Sequence, residues 1–137
     1  MPFRPWPPAA CWQHGEGRSG FEVAWFQAVA GGWVVDGTTA AVEEGQTWVV
    51  TYRVELDSGW LTRRARIGTR TTAGSHEIQL EADGTGSWLV NGVPAPALEG
   101  CLDVDLEGAP AFGFTSRLVY DDSGLILHYP GIARRAR

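Results

Sequence analysis

Two carboxylates in the last third of the chain have the spacing of a catalytic pair. Asp103 and Asp105 stand two residues apart in the segment Gly100–Leu106. On a β-strand such side chains share one face and lie about 7 Å apart. The acid and base of an inverting glycoside hydrolase lie about 6.5–9.5 Å apart. The pair therefore suits a carbohydrate hydrolase, but it suits structural ion pairs with nearby arginines equally well, and we favour the structural role.

One basic cluster stands out, formed by Arg63, Arg64, Arg66 and Arg70. Strand alternation predicts that Arg64 and Arg66 share a face with Trp60 and Thr62, and Trp60 beside the two arginines suits a single-stranded nucleic acid or a small anionic metabolite. The alternative is a solvated strand face whose arginines pair with Glu55, Glu77 and Glu81. The net charge of −5 and the pI of about 5.1 argue against nucleic acid. We therefore favour ion pairing.

Other reactive residues lack the neighbours that catalysis or metal binding requires. Cys11 and His14 stand three residues apart, which on a strand directs them to opposite faces, and no second ligand pair follows. His76 and His128 have no serine or cysteine in the sequence context of a nucleophile. Lysine is absent from the chain, which excludes phosphate-loop NTPases and Schiff-base enzymes. The sequence thus predicts no catalytic residue, no metal and no cofactor.

Length and composition indicate one domain. The 137 residues, 14.9 kDa in mass, are enough for a hydrophobic core, and we predict a single domain over residues 1–137 with a loosely ordered tail at 1–8. The N-terminus lacks the pattern of a secretion signal, and no apolar run approaches the ~20 residues of a membrane span. The two cysteines, Cys11 and Cys101, are typical of free thiols in a reducing compartment. A soluble cytoplasmic protein is expected.

Strand-length segments alternate with turn residues along the whole chain. Turns are indicated at Asp57-Ser58-Gly59, Asp83-Gly84 and Asn91-Gly92, whose residues tolerate positive φ angles. The segments between them are rich in Val, Trp, Tyr, Phe and Thr, which favour strands. No helical periodicity is present, and Ala95–Gly100 forms one helical turn at most. This spacing predicts an all-β antiparallel fold, a small barrel or roll with little or no helix.

The clearest alternation runs from Gln46 to Leu56. One face carries Trp48, Val50, Tyr52, Val54 and Leu56. Together with Trp88 and the other tryptophans on predicted strands, these residues either fill a core or line a concave apolar pocket, since small barrels often hold one ligand. The sequence alone leaves both interpretations open.

Several segments share their order and spacing with one known family. They are Trp60–Arg64, Gly86–Gly92, Leu98–Leu106 and Gly124–Ile132, with Trp12, Gly37 and Tyr52–Val54 in addition. In these segments the chain resembles the putative glycolipid-binding family of bacterial proteins. The resemblance implies a curved antiparallel sheet rolled into a half-open barrel or spiral β-roll, and a role in binding lipid or glycolipid. It supplies no catalytic residues.

The sequence departs from the family pattern after Leu106. Family members continue with a Pro/Thr/Asn-rich segment and a further strand, whereas here Glu107–Ala111 leads directly into Phe112 and Phe114. A shortened roll would lose part of its wall and expose a strand edge. We expect a second copy of the chain to cover that edge, and a monomeric mass in light scattering at micromolar concentration would contradict this.

The function predicted from the sequence is a non-enzymatic binding protein for an amphipathic lipid or glycolipid. The predicted ligand contacts are Trp48, Tyr52, Trp60, Arg64, Arg66, Trp88, Asp103 and Asp105. The alternatives are a nucleic-acid or anionic-metabolite binder that uses the Arg/Trp patch, and a carbohydrate hydrolase that uses the aspartate pair. Salt dependence separates the first two, because counterion release makes nucleic-acid affinity fall steeply with salt.

Overall fold

A computed structural model describes residues 5–15 and 17–101, together with the strands at 119–120, 126–129 and 133–135. The strands are β1 Ala9–His14, β2 Arg18–Val29, β3 Gly32–Glu43, β4 Gln46–Asp57, β5 Thr62–Thr71, β6 Gly74–Ala82, β7 Trp88–Val90, β8 Val93–Pro94, β9 Val119–Tyr120, β10 Ile126–Tyr129 and β11 Ala133–Arg135. Within this part of the chain the helical content is one 3-10 turn, Pro96–Leu98. The predicted all-β class is confirmed, as is the single helical turn after Pro94.

The described strands form one antiparallel sheet in the order β8-β7-β6-β5-β4-β3-β2-β1-β11-β10-β9. Strands β1 to β8 are joined to their neighbours in sequence, and the one long-range step pairs β1 with β11. The two ends of this order, β8 and β9, do not pair with each other among the described residues. The sheet is therefore open, as expected for a half-open barrel.

Strand register divides the sheet into two faces. Gly37 pairs with Ala24 on one side and with Tyr52 on the other, so these three residues share a face, which we call the inner face. It carries the even-numbered residues of β1, β2, β4 and β6, and the odd-numbered residues of β3 and, from Ala65, of β5. The alternate residues form the outer face. The inner face is the better buried of the two, with Ala24 and Ala65 at 2% and 0% exposure.

A register shift in the β4–β5 ladder places the first residue of β5 on the opposite face of the sheet from the one that simple alternation gives. The shift lies between Glu55 and Leu56, so that Leu56 pairs with Thr62. Thr62 is therefore on the inner face, where it is 2% exposed. Alternation from the sequence places Thr62 with Arg64 and Arg66, and that prediction is wrong because the irregularity adds a residue that simple period-two counting does not allow for.

Small side chains build the core of the described region. Its most buried apolar residues are Ala10, Ala24, Val34, Ala41, Ala65 and Trp88, and its largest fully buried side chain is Thr62. Fully burying a Leu, Ile or Phe side chain contributes about 1.5–3 kcal/mol, yet apart from Trp88 the large apolar side chains described on the inner face keep some exposure. The inner face is thus a partly open apolar surface rather than one half of a tightly closed core.

Gly37 leaves space that Tyr52 fills. The two residues are partners in the β3–β4 ladder, and a Cβ atom at position 37 would overlap the Tyr52 ring. Gly37 is buried in the middle of a strand, so its lack of a side chain serves packing rather than a turn. The glycine therefore sets where the tyrosine ring lies on the inner face.

Substituting Gly37→Ala is expected to lower the free energy of unfolding by about 1–3 kcal/mol, because the added methyl group displaces the Tyr52 ring. Urea denaturation followed by circular dichroism measures this. The control repeats Gly37→Ala in a Tyr52→Leu background, where the flexible, smaller side chain should reduce the cost. An equal cost in both backgrounds would show that the ring is not the cause.

Candidate functional site

A row of partly exposed side chains runs along β4 on the inner face. It consists of Trp48, Val50, Tyr52, Val54 and Leu56, which we call the apolar row, and each of its members is partly buried. The predicted alternation of this strand is confirmed. With a rise of about 3.3 Å per residue, the row extends about 27 Å from Trp48 to Leu56. It offers a long, narrow apolar surface open to a flexible chain.

A polar cluster lies beside the middle of the apolar row. The carboxylate of Glu22 on β2 accepts hydrogen bonds from Oγ1 of Thr39 on β3 and from the hydroxyl of Tyr52 on β4, both at 2.8 Å. Burial, followed by the charge of Glu22 and this hydrogen bond, raises the pKa of Tyr52 above its ordinary value. The phenol is therefore protonated at neutral pH and donates to the carboxylate. One acidic side chain thus joins three neighbouring strands.

Charged and aromatic side chains meet at the Trp48 end of the row. Nη2 of Arg18 lies 3.3 and 3.2 Å from the two carboxylate oxygens of Glu43, and the Arg18 guanidinium lies 5.1 Å from the centre of the Trp48 ring. The His14 ring is 6.4 Å from the same indole, and its two buried nitrogens have no hydrogen-bond partner among the described residues. Burial, then the charge of Arg18, lowers the pKa of His14, which Glu22 and Glu43 partly oppose. At neutral pH His14 is thus an uncharged ring.

Four aromatic rings meet at the other end of the row. Trp33 and Trp60 are stacked, with ring centres 5.2 Å apart and 20° between their planes. Trp6 lies 4.6 Å from Phe26, and it lies 5.0 Å from Trp60 and 6.2 Å from Trp33. We call these four residues the aromatic cluster. Because Leu56 pairs with Trp33 in the ladder, the apolar row leads directly into the cluster.

Arg64 and Arg66 lie on the outer face, away from the apolar row. Arg64 is 3.7 Å from carboxylate oxygens of Glu55 and of Glu81, and Arg66 is 3.5 Å from Glu77. The predicted ion pairing is confirmed. Both arginines, with Glu55 and Glu81, line a shallow outer groove of about 390 Å³. Since both side chains are 61% exposed, the pairs add little to stability.

The predicted patch of Trp60 with Arg64 and Arg66 does not form. Trp60 lies in the turn before β5 and stacks on Trp33 of the inner face, whereas both arginines point outward. The register shift that moves Thr62 also separates Trp60 from the arginines. No guanidinium–indole platform for a nucleic acid is therefore present at these three residues.

The remaining predicted contact residues have different outcomes. Trp48 and Tyr52 lie together in the apolar row. Trp88 is 5% exposed, and its indole N–H donates to the carbonyl oxygen of Cys101 at 2.8 Å, so it packs in the core and anchors the chain at Cys101. Asp103 and Asp105 lie outside the described residues, and their roles stay predictions.

The polar cluster was not predicted, although the sequence contains a signal for it. A two-residue turn at Ala30-Gly31 joins β2 to β3 and fixes the register of the hairpin. That register places Arg18 opposite Glu43 and Glu22 opposite Thr39. Counting outward from this turn shows that Glu22 faces a hydroxyl donor and that Arg18 faces a carboxylate across β2 and β3.

The part of the chain that the structure describes contains no group of three or more His, Cys, Asp or Glu side chains arranged to hold a metal ion. None of its helical segments has the length and apolar character needed to cross a membrane.

Comparison with known proteins gives one family and one fold. A family profile described as putative glycolipid-binding matches residues 9–113. The crystal structure of a DUF1089 family protein from Pseudomonas aeruginosa is similar, with a TM-score of 0.65 and 20% sequence identity over 84% of this chain and 92% of that one. At this identity the structural similarity shows a shared fold. The curated proteins contain no match.

Substituting Tyr52→Phe is expected to cost about 1–3 kcal/mol at pH 7, because the Glu22 carboxylate loses a buried donor. The pKa of Tyr52 is raised in the folded protein, whereas in the unfolded state it has the ordinary value of 10.0. Above pH 10 the unfolded state therefore loses the phenol proton more readily than the folded state, and the wild type becomes less stable. Urea denaturation should therefore show a difference between wild type and variant that shrinks from pH 7 to about pH 11.

Thr39→Val is the matched control, because it removes the other donor to Glu22 without removing a group that titrates in this range. Its stability difference from wild type should stay constant between the two pH values. A Tyr52→Phe difference that is equally constant would contradict the assigned shift.

Proposed function

The chain belongs to the putative glycolipid-binding family, and we propose that it is a non-enzymatic protein that binds an amphipathic lipid or glycolipid on the inner face of its sheet. The observation that carries the proposal is the apolar row, whose large side chains are only partly buried, while the buried positions of the same face carry, apart from Trp88, only glycine, alanine and threonine. When a ligand covers partly exposed apolar surface, each Å² removed from water contributes about 25 cal/mol to the free energy of binding.

The polar cluster supports an amphipathic rather than a purely apolar ligand. Glu22 and Tyr52 present a carboxylate and a phenol beside the middle of the row, and a carboxylate oxygen accepts more than one hydrogen bond. A hydroxyl-bearing head group could donate to it while the hydrocarbon part lies along Val54 and Leu56. The proposed ligand therefore spans the row with its head near Glu22 and its apolar part toward the aromatic cluster.

Two other functions have less support. An anionic ligand on the outer face would compete with the carboxylates that already pair with Arg64 and Arg66. A hydrolase would depend on Asp103 and Asp105, which lie outside the described residues. The setting we propose is the cytoplasm, where the free thiols Cys11 and Cys101 stay reduced. Self-association through a strand edge stays a prediction.

The proposal predicts that lipid accompanies the purified protein. Mass spectrometry of organic extracts should detect an amphipathic molecule in near-stoichiometric amount, and delipidated protein should bind octyl glucoside below its micelle concentration in calorimetric titration. Binding should change little between low and high salt, because apolar contacts are not screened. Empty protein that also fails to bind octyl glucoside would refute the proposed function.

A matched pair of variants on β4 locates the binding surface. Val50 and Val49 are adjacent and both partly buried, but they lie on the inner and outer face respectively. Val50→Asn is expected to weaken octyl glucoside binding by about tenfold, the equivalent of ~1.4 kcal/mol of lost apolar contact. Val49→Asn should leave the affinity unchanged. If both variants weakened octyl glucoside binding equally, the binding surface could not be assigned to the inner face.

A further inference from the structure

One end of the sheet displays apolar side chains beyond the apolar row. The turns between β2 and β3 and between β4 and β5 lie next to each other there, because Gly32 pairs with both Val29 and Asp57. Val29 is 41% exposed and Trp60 is 43% exposed. Val29 lies on the outer side of this sheet end, and Trp60 with the other, partly buried rings of the aromatic cluster lies on its inner side. Together they form an apolar rim at this end of the sheet.

Trp60 is held at this rim in a costly backbone conformation. Its φ of 66° lies in the left-handed region, which bulky residues rarely adopt. The turn enforces it: the Trp60 amide donates to the carbonyl oxygen of Asp57 at 3.0 Å, and the Asp57 side chain accepts from the amide of Gly59 at 2.8 Å. Glycine would suit this position better, so the strain points to a use for the exposed indole.

Little charge accompanies these rings. The residues of the two turns, 29–32 and 57–61, include a single charged side chain, Asp57, which forms an ion pair with Arg63 at 3.5 Å. Binding to an anionic surface requires clustered basic residues, and this rim carries none. An exposed tryptophan beside turns of low charge is instead typical of protein surfaces that lie at the interface between lipid and water.

The rim is also continuous with the proposed ligand path. Leu56, the last residue of the apolar row, pairs with Trp33 in the β3–β4 ladder, and Trp33 stacks on Trp60. A hydrocarbon chain leaving a membrane at the rim would reach the row without crossing a polar surface. This continuity selects a lipid surface over a protein partner as the occupant.

We propose that the sheet end formed by the aromatic cluster and Val29 docks on an uncharged or zwitterionic lipid surface, where it exchanges the ligand of the apolar row. This inference rests on the proposed function, because a lipid-binding protein has to load its ligand from a membrane. Docking is apolar, so it does not depend on anionic lipid and does not weaken as salt is raised.

The test is flotation of the full chain with phosphatidylcholine vesicles at low and high salt, with and without phosphatidylglycerol. Wild type should float with the vesicles under all these conditions. Trp60→Ala should reduce the partition coefficient about tenfold, as expected when one interfacial aromatic side chain is lost. Trp60→Gly should do the same while suiting the left-handed backbone, which keeps the test valid if the alanine variant is unstable. Trp25→Ala is the matched control, since Trp25 is 51% exposed on the outer face.

Soluble octyl glucoside, titrated into the same proteins, separates the two proposals. Val50→Asn should bind octyl glucoside more weakly than wild type and still float with the vesicles as wild type does, because Val50 lies in the apolar row and not at the rim. Docking is overturned if wild type stays unbound to vesicles, if Trp25→Ala is the variant that loses binding, if docking requires phosphatidylglycerol, or if Val50→Asn loses vesicle binding as the Trp60 variants do. Vesicle binding by a protein that takes up no octyl glucoside supports docking and overturns the proposed function instead.

Discussion

Small residues on the inner face of the sheet are the constraint on which the other features depend. Ala24, Gly37, Ala41 and Ala65 lie beneath the surface at positions where an ordinary β-sheet core would carry branched or aromatic side chains. Because these residues add little volume, the larger side chains of β4 rest on them without being sealed in. The sheet therefore keeps an apolar surface of its own that its strands do not bury.

A polar group fixes the positions of the side chains on this apolar surface. Glu22 provides it by accepting hydrogen bonds from Thr39 and Tyr52 on the next two strands. Glu22 is partly buried, and a carboxylate removed from water is costly unless it is hydrogen-bonded. Gly37 leaves room for the Tyr52 ring, which lets the Tyr52 hydroxyl reach this carboxylate. The same arrangement separates the inner face into a charged end at Arg18 and an aromatic end at Trp33, which gives the surface the polarity of an amphipathic molecule.

Much of this arrangement follows from sequence periodicity, and the exceptions have identifiable causes. Alternation in β4 places the apolar row correctly, because every residue from Gln46 to Glu55 keeps the period of two. One register shift before Leu56 is enough to misplace Thr62 and Trp60, and no residue type marks such a shift in advance. The ion pairs of Arg64 could be predicted, since Glu55 and Glu81 face it on the neighbouring strands. Arg66 faces Arg53 and Gln79 and pairs diagonally with Glu77. The role of Glu22 was not predicted, because a polar residue on a strand is ordinarily assigned to the solvent-facing side. Its partners follow only from the register of the β2–β3 hairpin.

Two features of the inner face each reduce the stability of the fold in the part of the chain that the structure describes. The ring nitrogens of His14 are buried and unpaired, and the backbone of Trp60 is held in the left-handed region. An unpaired buried polar group costs about 1–3 kcal/mol and a strained backbone of this kind a similar amount. They lie near opposite ends of the apolar row, beside Trp48 and beside Trp33. Marginally stable proteins retain such costs where surrounding function requires them, and the two features lie at the two limits of the surface that we propose binds the ligand.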